Sequence, residues 1–277
     1  MDNQTKDQLR SAIVGLAIGD ALGVPAEFQP RHTFHISSMT GYGTHHQPPG
    51  TWSDDTSMTL ATCDAIRMCE GRVDPERIQE AFENWLFHGK YAIDGIVFDC
   101  GFTTGQALSR GRGFDDFKSN GNGSLMRILP LAFTNADTAM IEKVSAITHG
   151  HAISVRACQI YIQCARCLLS GESLEAVILS LSENEPFERL GHLFQMKEAD
   201  IRSSGYVVDT LEAALWSLAQ SHSFAETVLT AVNLGEDTDT IGAIAGGLAG
   251  ILYGIEGIPA QWLDQLRGKE LIESCLF

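Results

Sequence analysis

Basic residues are scarce in this chain. Its 277 residues carry 19 Lys and Arg against 35 Asp and Glu, a formal net charge of −16. That balance argues against sequence-independent binding to nucleic-acid duplexes and against adhesion to an anionic membrane. Strand signals are lacking too: only residues 91–98 are ambiguous, and no other stretch shows convincing alternation of apolar and polar residues. The apolar run over 241–255 is shorter than the ~20 residues that a bilayer needs, and acids flank it. The opening MDNQTKDQLR has no apolar signal core. Repeats, linkers and low-complexity tracts are absent. The seven cysteines, at 63, 69, 100, 158, 164, 167 and 275, are an odd number without a disulfide framework. Cys164 and Cys167 form a lone Cys-x-x-Cys with no second pair to complete a zinc site, so buried thiols are the default. The expectation is a cytoplasmic protein that meets no membrane, with a monomer as the first assumption.

What is present is helical periodicity. Leu9, Ala12, Ile13, Leu16 and Ala17 share one face of a helix over 7–22, which Pro25 ends. Met58, Ala61, Ala65 and Cys69 mark a second helix. Asp74-Pro75 opens a third, with Ile78, Phe82, Trp85 and Leu86 inward. A short helix is expected around Gln106, and others over 136–148, 152–169, 173–183, 207–220 and 223–234, with more after Pro259. Residues 28–52, which hold four of the nine histidines, and residues 184–205 read as loops. Gly121 to Arg127 is expected to lead into a helix, its glycines exposing backbone N–H groups that suit an anion. The fold expected is all-α: a single compact multi-helical domain over 1–277.

Two stretches concentrate chemistry. Gly235-Glu236-Asp237-Thr238-Asp239-Thr240 supplies three carboxylates and two hydroxyls ahead of the apolar helix over 241–255. In that helix Gly242, Gly246, Gly250 and Gly254 recur every four residues. Each costs roughly 1 kcal/mol relative to alanine, so the row predicts a groove against which another backbone lies closely. Trp52-Ser53-Asp54-Asp55-Thr56 is the second cluster, again at a helix start. Asp and Thr are ordinary N-caps, but a cap needs one carboxylate. The excess would repel unless a cation neutralised it. All candidate ligands in the two clusters, Ser53, Asp54, Asp55, Asp237, Asp239 and Thr240, are oxygens, a set that suits Mg²⁺, Mn²⁺ or Ca²⁺ and not zinc. Taken singly, Asp20 reads as a helix-end acid, Glu27 as a surface acid, His149 as a structural residue at a helix junction and Tyr206 as core packing.

In their order along the chain, Gly19-Asp20-Ala21-Leu22-Gly23 with Glu27, Trp52 to Thr56, Gly121 to Arg127, Thr148-His149, Gly205 to Thr210 and Asp237 to Gly242 resemble the ADP-ribosylglycohydrolase family. That group includes dinitrogenase reductase-activating glycohydrolase and the ADP-ribosyl-acceptor hydrolases. The resemblance runs from Gly15 to about Leu266. It implies an all-α fold with a centre of two Mg²⁺ or Mn²⁺ ions held by Ser53, Asp54, Asp55, Asp237, Asp239 and Thr240. It implies Glu27 beside or on one metal, at the distal ribose, with Glu27 and Asp55 the catalytic carboxylates. Asn122, Gly123, Ser124 and His149 would lie along ADP-ribose, Gly205 would also bind substrate, and Tyr206 would lie against the adenine. The implied reaction removes ADP-ribose from a modified protein side chain, arginine-linked as the first choice. A non-catalytic ADP-ribose or nucleotide binder and a two-metal phosphohydrolase are the alternatives. Two positions depart from the family's pattern. Ser53 stands where Thr is common and keeps the hydroxyl. Glu236 stands where Gly is usual, and its added carboxylate would tighten metal binding or crowd the substrate.

Overall fold

The glycine row finds its partner at the far end of the chain. Gly242 lies against Gly19, Gly246 against Gly15, and Gly250 against Ser11 and Ala12, so closely that a Cβ at any of the three would collide with the facing backbone. The facing row, Ser11, Gly15, Gly19 and Gly23, has the same spacing of four, and the pairing runs antiparallel. Gly254 is not part of the groove. The helix stops at Tyr253, and Gly254 is its C-cap with φ +66° and open space beside it.

A computed structural model describes residues 2–181 and 185–277. Among them twelve α-helices form: α1 (Asn3–Gly23), α2 (Asp54–Met68), α3 (Pro75–His88), α4 (Phe102–Arg110), α5 (Thr138–Ser145), α6 (Ala152–Leu169), α7 (Leu174–Leu179), α8 (Val207–Ala219), α9 (Phe224–Val232), α10 (Thr238–Tyr253), α11 (Ala260–Gln265) and α12 (Lys269–Cys275). The α1–α10 pair is the axis, with α2, α6, α8 and α9 packed around it. Ile13, Leu16, Ile18, Ile241, Ile244 and Leu248 are fully buried there, and the apolar core is continuous through the domain. No β-strand occurs among the described residues, only isolated bridges such as Gly121 with Tyr206. The ambiguous segment 91–98 is irregular around a 3-10 turn, Ile93–Gly95.

The expected helix after Gly121 does not form. Two 3-10 turns, Asn122–Ser124 and Leu129–Phe133, occupy the stretch, and Pro130 sits in the second, where its ring and missing N–H oppose α-helical continuation. The helix expected over 173–183 ends at Leu179, and residues 182–184 lie outside those described. The one segment among the described residues with the length and composition of a membrane span is Asn3–Ala26 and not the glycine-rich helix. Its most apolar window is 94% buried inside the protein, as befits the centre of a helical core.

Candidate active site

The antiparallel glycine contact decides where the acids meet. It sets the C-terminal end of α1 against the N-terminal end of α10, with Gly23 touching the backbone of Thr238 and Asp239. Thr238 Oγ1 donates to Gly23 O at 2.7 Å and locks this end. The start of α2 is drawn in by Asp20. Its Oδ1 accepts from Ser53 N (2.8 Å), and its Oδ2 accepts from Thr56 N (3.0 Å) and Thr56 Oγ1 (2.6 Å). Ser53 is the N-cap of α2, with Oγ accepting from Asp55 N at 3.4 Å. Capping of α2 is therefore done by Ser53 and by an acid from another helix, and the carboxylates of Asp54 and Asp55 are not needed for it.

Those carboxylates crowd. Ligand oxygens from Asp20, Asp55 and Asp239 lie within 4.8 Å of one another, and Asp239 forms a second such trio with Glu27 and Asp237. All but Asp237, which is half-buried, are buried. Burial first, and then the neighbouring carboxylates, push Asp54, Asp55 and Asp239 well above the usual carboxylate range. Glu27 rises to about 10, through burial and then through Asp99 and Asp237. Asp20 rises to about 7 by burial, against the hydrogen bonds that favour its charged form. Asp237 also rises by burial, although the amide of Asn122 and the hydroxyl of Thr240 oppose the shift. Two buried oxygens in the cluster, Asp55 Oδ1 and Asp239 Oδ2, have no hydrogen-bond partner. Unpartnered buried acceptors are rare and costly. Two of them, in an all-oxygen set of like-charged groups, fit a divalent cation.

Beside the cluster opens a cleft of about 270 Å³ lined by Glu27, Asp54, Asp237 and Thr240 on the acidic side. Thr104, Asn122, Gly123, His149 and Gly205 contribute to the remaining wall. Asn122 is a strut: Nδ2 donates to Asp237 Oδ2 at 2.7 Å and to Thr210 Oγ1 at 3.0 Å, and its backbone N–H donates to Gly205 O. Gly123 is required by crowding, because a Cβ there would lie 2.8 Å from both His149 Cε1 and Thr104 Oγ1. His149 is buried, and burial together with the charge of Arg127 pushes its pKa down to about 3, so the ring is neutral.

Two expected ligand contacts sit differently. The Ser124 side chain is fully buried and faces the core, with Oγ accepting from Ser145 Oγ at 2.9 Å and lying 3.5 Å from Cys158 Sγ. Tyr206 does not line the cleft. It is half-buried at the N-cap of α8, packed on the core, and its backbone bridges to Gly121. Glu236, at φ +60°, is exposed, and its backbone bonds to Phe28 and Gln29 hold the loop. Its carboxylate is not among the groups lining the cleft.

A sequence profile of the ADP-ribosylglycohydrolase family matches residues 1–276. The chain belongs to the ADP-ribosylglycohydrolase family. Among its relatives, an ADP-ribosylarginine hydrolase, Tri1, of Pseudomonas putida (strain GB-1) is 36% identical, over 98% of this chain and 77% of that protein. The ADP-ribosyl-[dinitrogen reductase] glycohydrolase of Rhodospirillum rubrum is 32% identical, over 95% of this chain and 91% of the relative. A solved structure titled ADP-ribosylglycohydrolase-related protein complex superposes with a TM-score of 0.84 at 32% identity, covering 99% of this chain and 97% of the other.

This glycohydrolase also brings to its site Asp99, which the sequence did not mark, and His45, one of two paired loop histidines that could bind a metal but are more commonly exposed and idle. Asp99 lines the cleft and joins Glu27 and His45 in a third trio of ligand atoms within 4.8 Å. His45 Nε2 makes a short contact with Glu27 Oε2, and the ring sits between Phe28 and Phe98 at 6.0 and 5.2 Å. Phe28 and Phe102 stand at the rim, 65% and 81% exposed. Asp99 follows a structureless run and has no periodicity around it. Its φ of +55° is its one peculiarity, and that is visible only in the fold.

Proposed function

We propose that the protein hydrolyses the glycosidic bond between ADP-ribose and an arginine side chain of a modified protein, with two divalent cations, Mg²⁺ or Mn²⁺, in the carboxylate cluster. The observation that carries this reading is the pair of unpartnered buried oxygens, Asp55 Oδ1 and Asp239 Oδ2, inside two overlapping trios of carboxylates. Ser53, Asp54, Asp55, Asp237, Asp239 and Thr240 would hold the ions, with Glu27 and Asp20 adjacent. When bound, the ions supply positive charge against the ribose hydroxyls and against charge that develops in the reaction.

The chain's own groups supply the rest. Glu27 reaches the cleft because Pro25 and the turn Val24–Ala26 carry the backbone out of α1 and leave Glu27 extended, at ψ 142°. A water adds to the anomeric carbon of the distal ribose while the bond to the guanidino nitrogen breaks. One proton of that water passes to the Glu27 carboxylate, which would be ionised with cations in the cluster, and Glu27 hands it on to the departing guanidine, a strong base. Asn122 fixes Asp237 and the Gly205 backbone, so the two walls of the cleft keep their spacing. The arginine linkage is favoured by a mouth in which Asp99 and Glu27 lie with the exposed rings of Phe28 and Phe102, groups complementary to a planar cation. Two relatives named ADP-ribosylarginine hydrolase, at 36% and 35% identity, favour it too.

The test is incubation with arginine-, serine- and other-linked ADP-ribosyl peptides, with Mg²⁺ or with chelator, followed by product analysis. Intact ADP-ribose released from the arginine peptide, dependent on Mg²⁺, is expected. Binding without product would make the protein a reader of ADP-ribose, and release of AMP would make it a phosphohydrolase.

A further inference from the structure

His149 is held from behind by a chain of two residues. Arg127, fully buried and stacked over Phe82 with its guanidinium carbon 4.2 Å from the ring centroid, donates from a terminal nitrogen to Thr148 Oγ1 at 2.8 Å. Its Nε and other terminal nitrogen have no partner, so among the described residues this is the guanidinium's one hydrogen bond. The same hydroxyl oxygen lies 2.7 Å from His149 Nδ1. Donor logic fixes the hydrogens. A guanidinium cannot accept, so Thr148 Oγ1 must accept from Arg127. The hydroxyl then has one hydrogen to give, and His149 Nδ1 is its neighbour. A hydrogen on Nδ1 would confront the hydroxyl with a second donor and leave its own hydrogen without an acceptor among the described residues. A bare Nδ1 gives the hydroxyl hydrogen an acceptor and leaves the hydroxyl oxygen free to accept from Arg127.

We propose that Arg127 and Thr148 are positioning residues that hold His149 as the tautomer with hydrogen on Nε2, so that the ring offers an N–H donor to an oxygen of the ligand in the cleft. The direction follows from the glycines of the turn. The place where Gly121 would carry a Cβ is 3.6 Å from Nε2, and that of Gly123 is 3.4 Å from it, so the missing side chains leave the ring edge uncovered. His149 and both glycines line the cleft. Burying a cation with a single hydrogen bond is costly, and orienting one imidazole in the cleft wall gives the arrangement a use. The assignment of the ligand as ADP-ribose rests on the proposed function; the tautomer does not.

Two readouts test it. Nitrogen-15 NMR of the histidine rings in the metal-loaded, ligand-free protein, with the His149 signal assigned by its loss in His149→Gln, reads the tautomer directly. Hydrogen on Nε2 alone is expected in the wild type and in Thr148→Ser, which keeps the hydroxyl. Thr148→Val is expected to lose the single tautomer and to bind ADP-ribose about tenfold more weakly in calorimetry, with Thr148→Ser within about twofold of wild type. The Mg²⁺-induced rise in melting temperature is expected to persist in both, which separates the effect from loss of fold. A wild-type ring with hydrogen on Nδ1 overturns the proposal. So does unchanged affinity in a folded Thr148→Val protein. A wild type that binds no ADP-ribose counts against the proposed function, while the ring spectrum still decides the relay.

Discussion

The starts of α2 and α10 carry similar acidic sequences and are built in opposite ways. At α2 the amides are met by the Ser53 hydroxyl and by Asp20 from α1, and the arrangement is closed. At α10 the N-cap, Asp237, makes no side-chain cap and is held by Asn122 from across the cleft, behind a loop with two left-handed residues, Gly235 at φ +81° and Glu236 at φ +60°. One start is a fixed wall, and the other is a rim tied to the substrate side. The comparison teaches how to tell acids that hold a helix from acids available for chemistry. In the first kind both oxygens accept hydrogen bonds, as in Asp20; the second, Asp55 and Asp239, each keep one oxygen with no partner.

The largest effect expected is at those two. Asp55→Asn or Asp239→Asn is expected to abolish Mg²⁺-dependent release of ADP-ribose and the Mg²⁺-induced rise in melting temperature, while the chelated protein stays at least as stable as wild type because like-charge crowding is relieved. Retained metal-dependent turnover in both would break the distinction. Next is Glu27→Gln, for which turnover is expected to fall by roughly 100-fold with ADP-ribose affinity preserved, the usual scale for an acid–base group. Turnover lost only together with metal would make Glu27 a ligand instead.

The two kinds of acid also differ in the fold. Asp20→Ala strands three donors and is expected to cost about 2 kcal/mol or more in urea unfolding of the chelated protein, whereas Asp54→Ala is expected to stay within about 0.5 kcal/mol. Equal costs would erase the contrast. With cations chelated, Asp20 and Glu27 titrate in the fold at about 7 and about 10, above their ordinary 3.8 and 4.5. Raised carboxyl values favour the fold below the ordinary range and turn against it as the pH rises. Chelated protein is therefore expected to lose stability upward from about pH 4, through 7 and on towards 10, and bound Mg²⁺ to flatten the curve. A chelated protein that gained stability over that window would contradict the cluster's electrostatics. The smallest effect is at the rim: Glu236→Gly removes a side chain from a left-handed position and is expected to stabilise by about 0.5 kcal/mol with activity unchanged.

The all-α fold was legible because amphipathic spacing is a local signal, and helix starts such as Asp74-Pro75 and Ser53-Asp54 announce themselves. The two acidic clusters were legible for the same reason, being contiguous. The partner of the glycine row was not read, although Gly15, Gly19 and Gly23 repeat its spacing, because pairing across more than two hundred residues leaves no trace in a window. Asp99 and His45 were placed by irregular backbone that no period describes. The helix wrongly expected after Gly121 shows the converse: a glycine-rich turn imitates a helix entry, and Pro130 further on decides otherwise. Ser124 shares its motif with Asn122 and Gly123 yet turns its hydroxyl to the core, an outcome fixed by where Ser145 and Cys158 happen to pack.

The bare-backbone contact between α1 and α10 also sets a timetable for biogenesis. Residues 3–23 leave the ribosome more than two hundred residues ahead of those they must touch, Thr238 to Gly250. At about 5–20 residues per second the first helix waits on the order of 10–50 s with its apolar surface unmatched. Throughout that interval the nascent chain offers a long greasy helix to chaperones, or to neighbouring chains on the same message. The carboxylate cluster, which straddles the same seam, cannot form until residues 237–240 have been made. Truncation ahead of Thr238 would then yield an adhesive fragment and not a weakened enzyme.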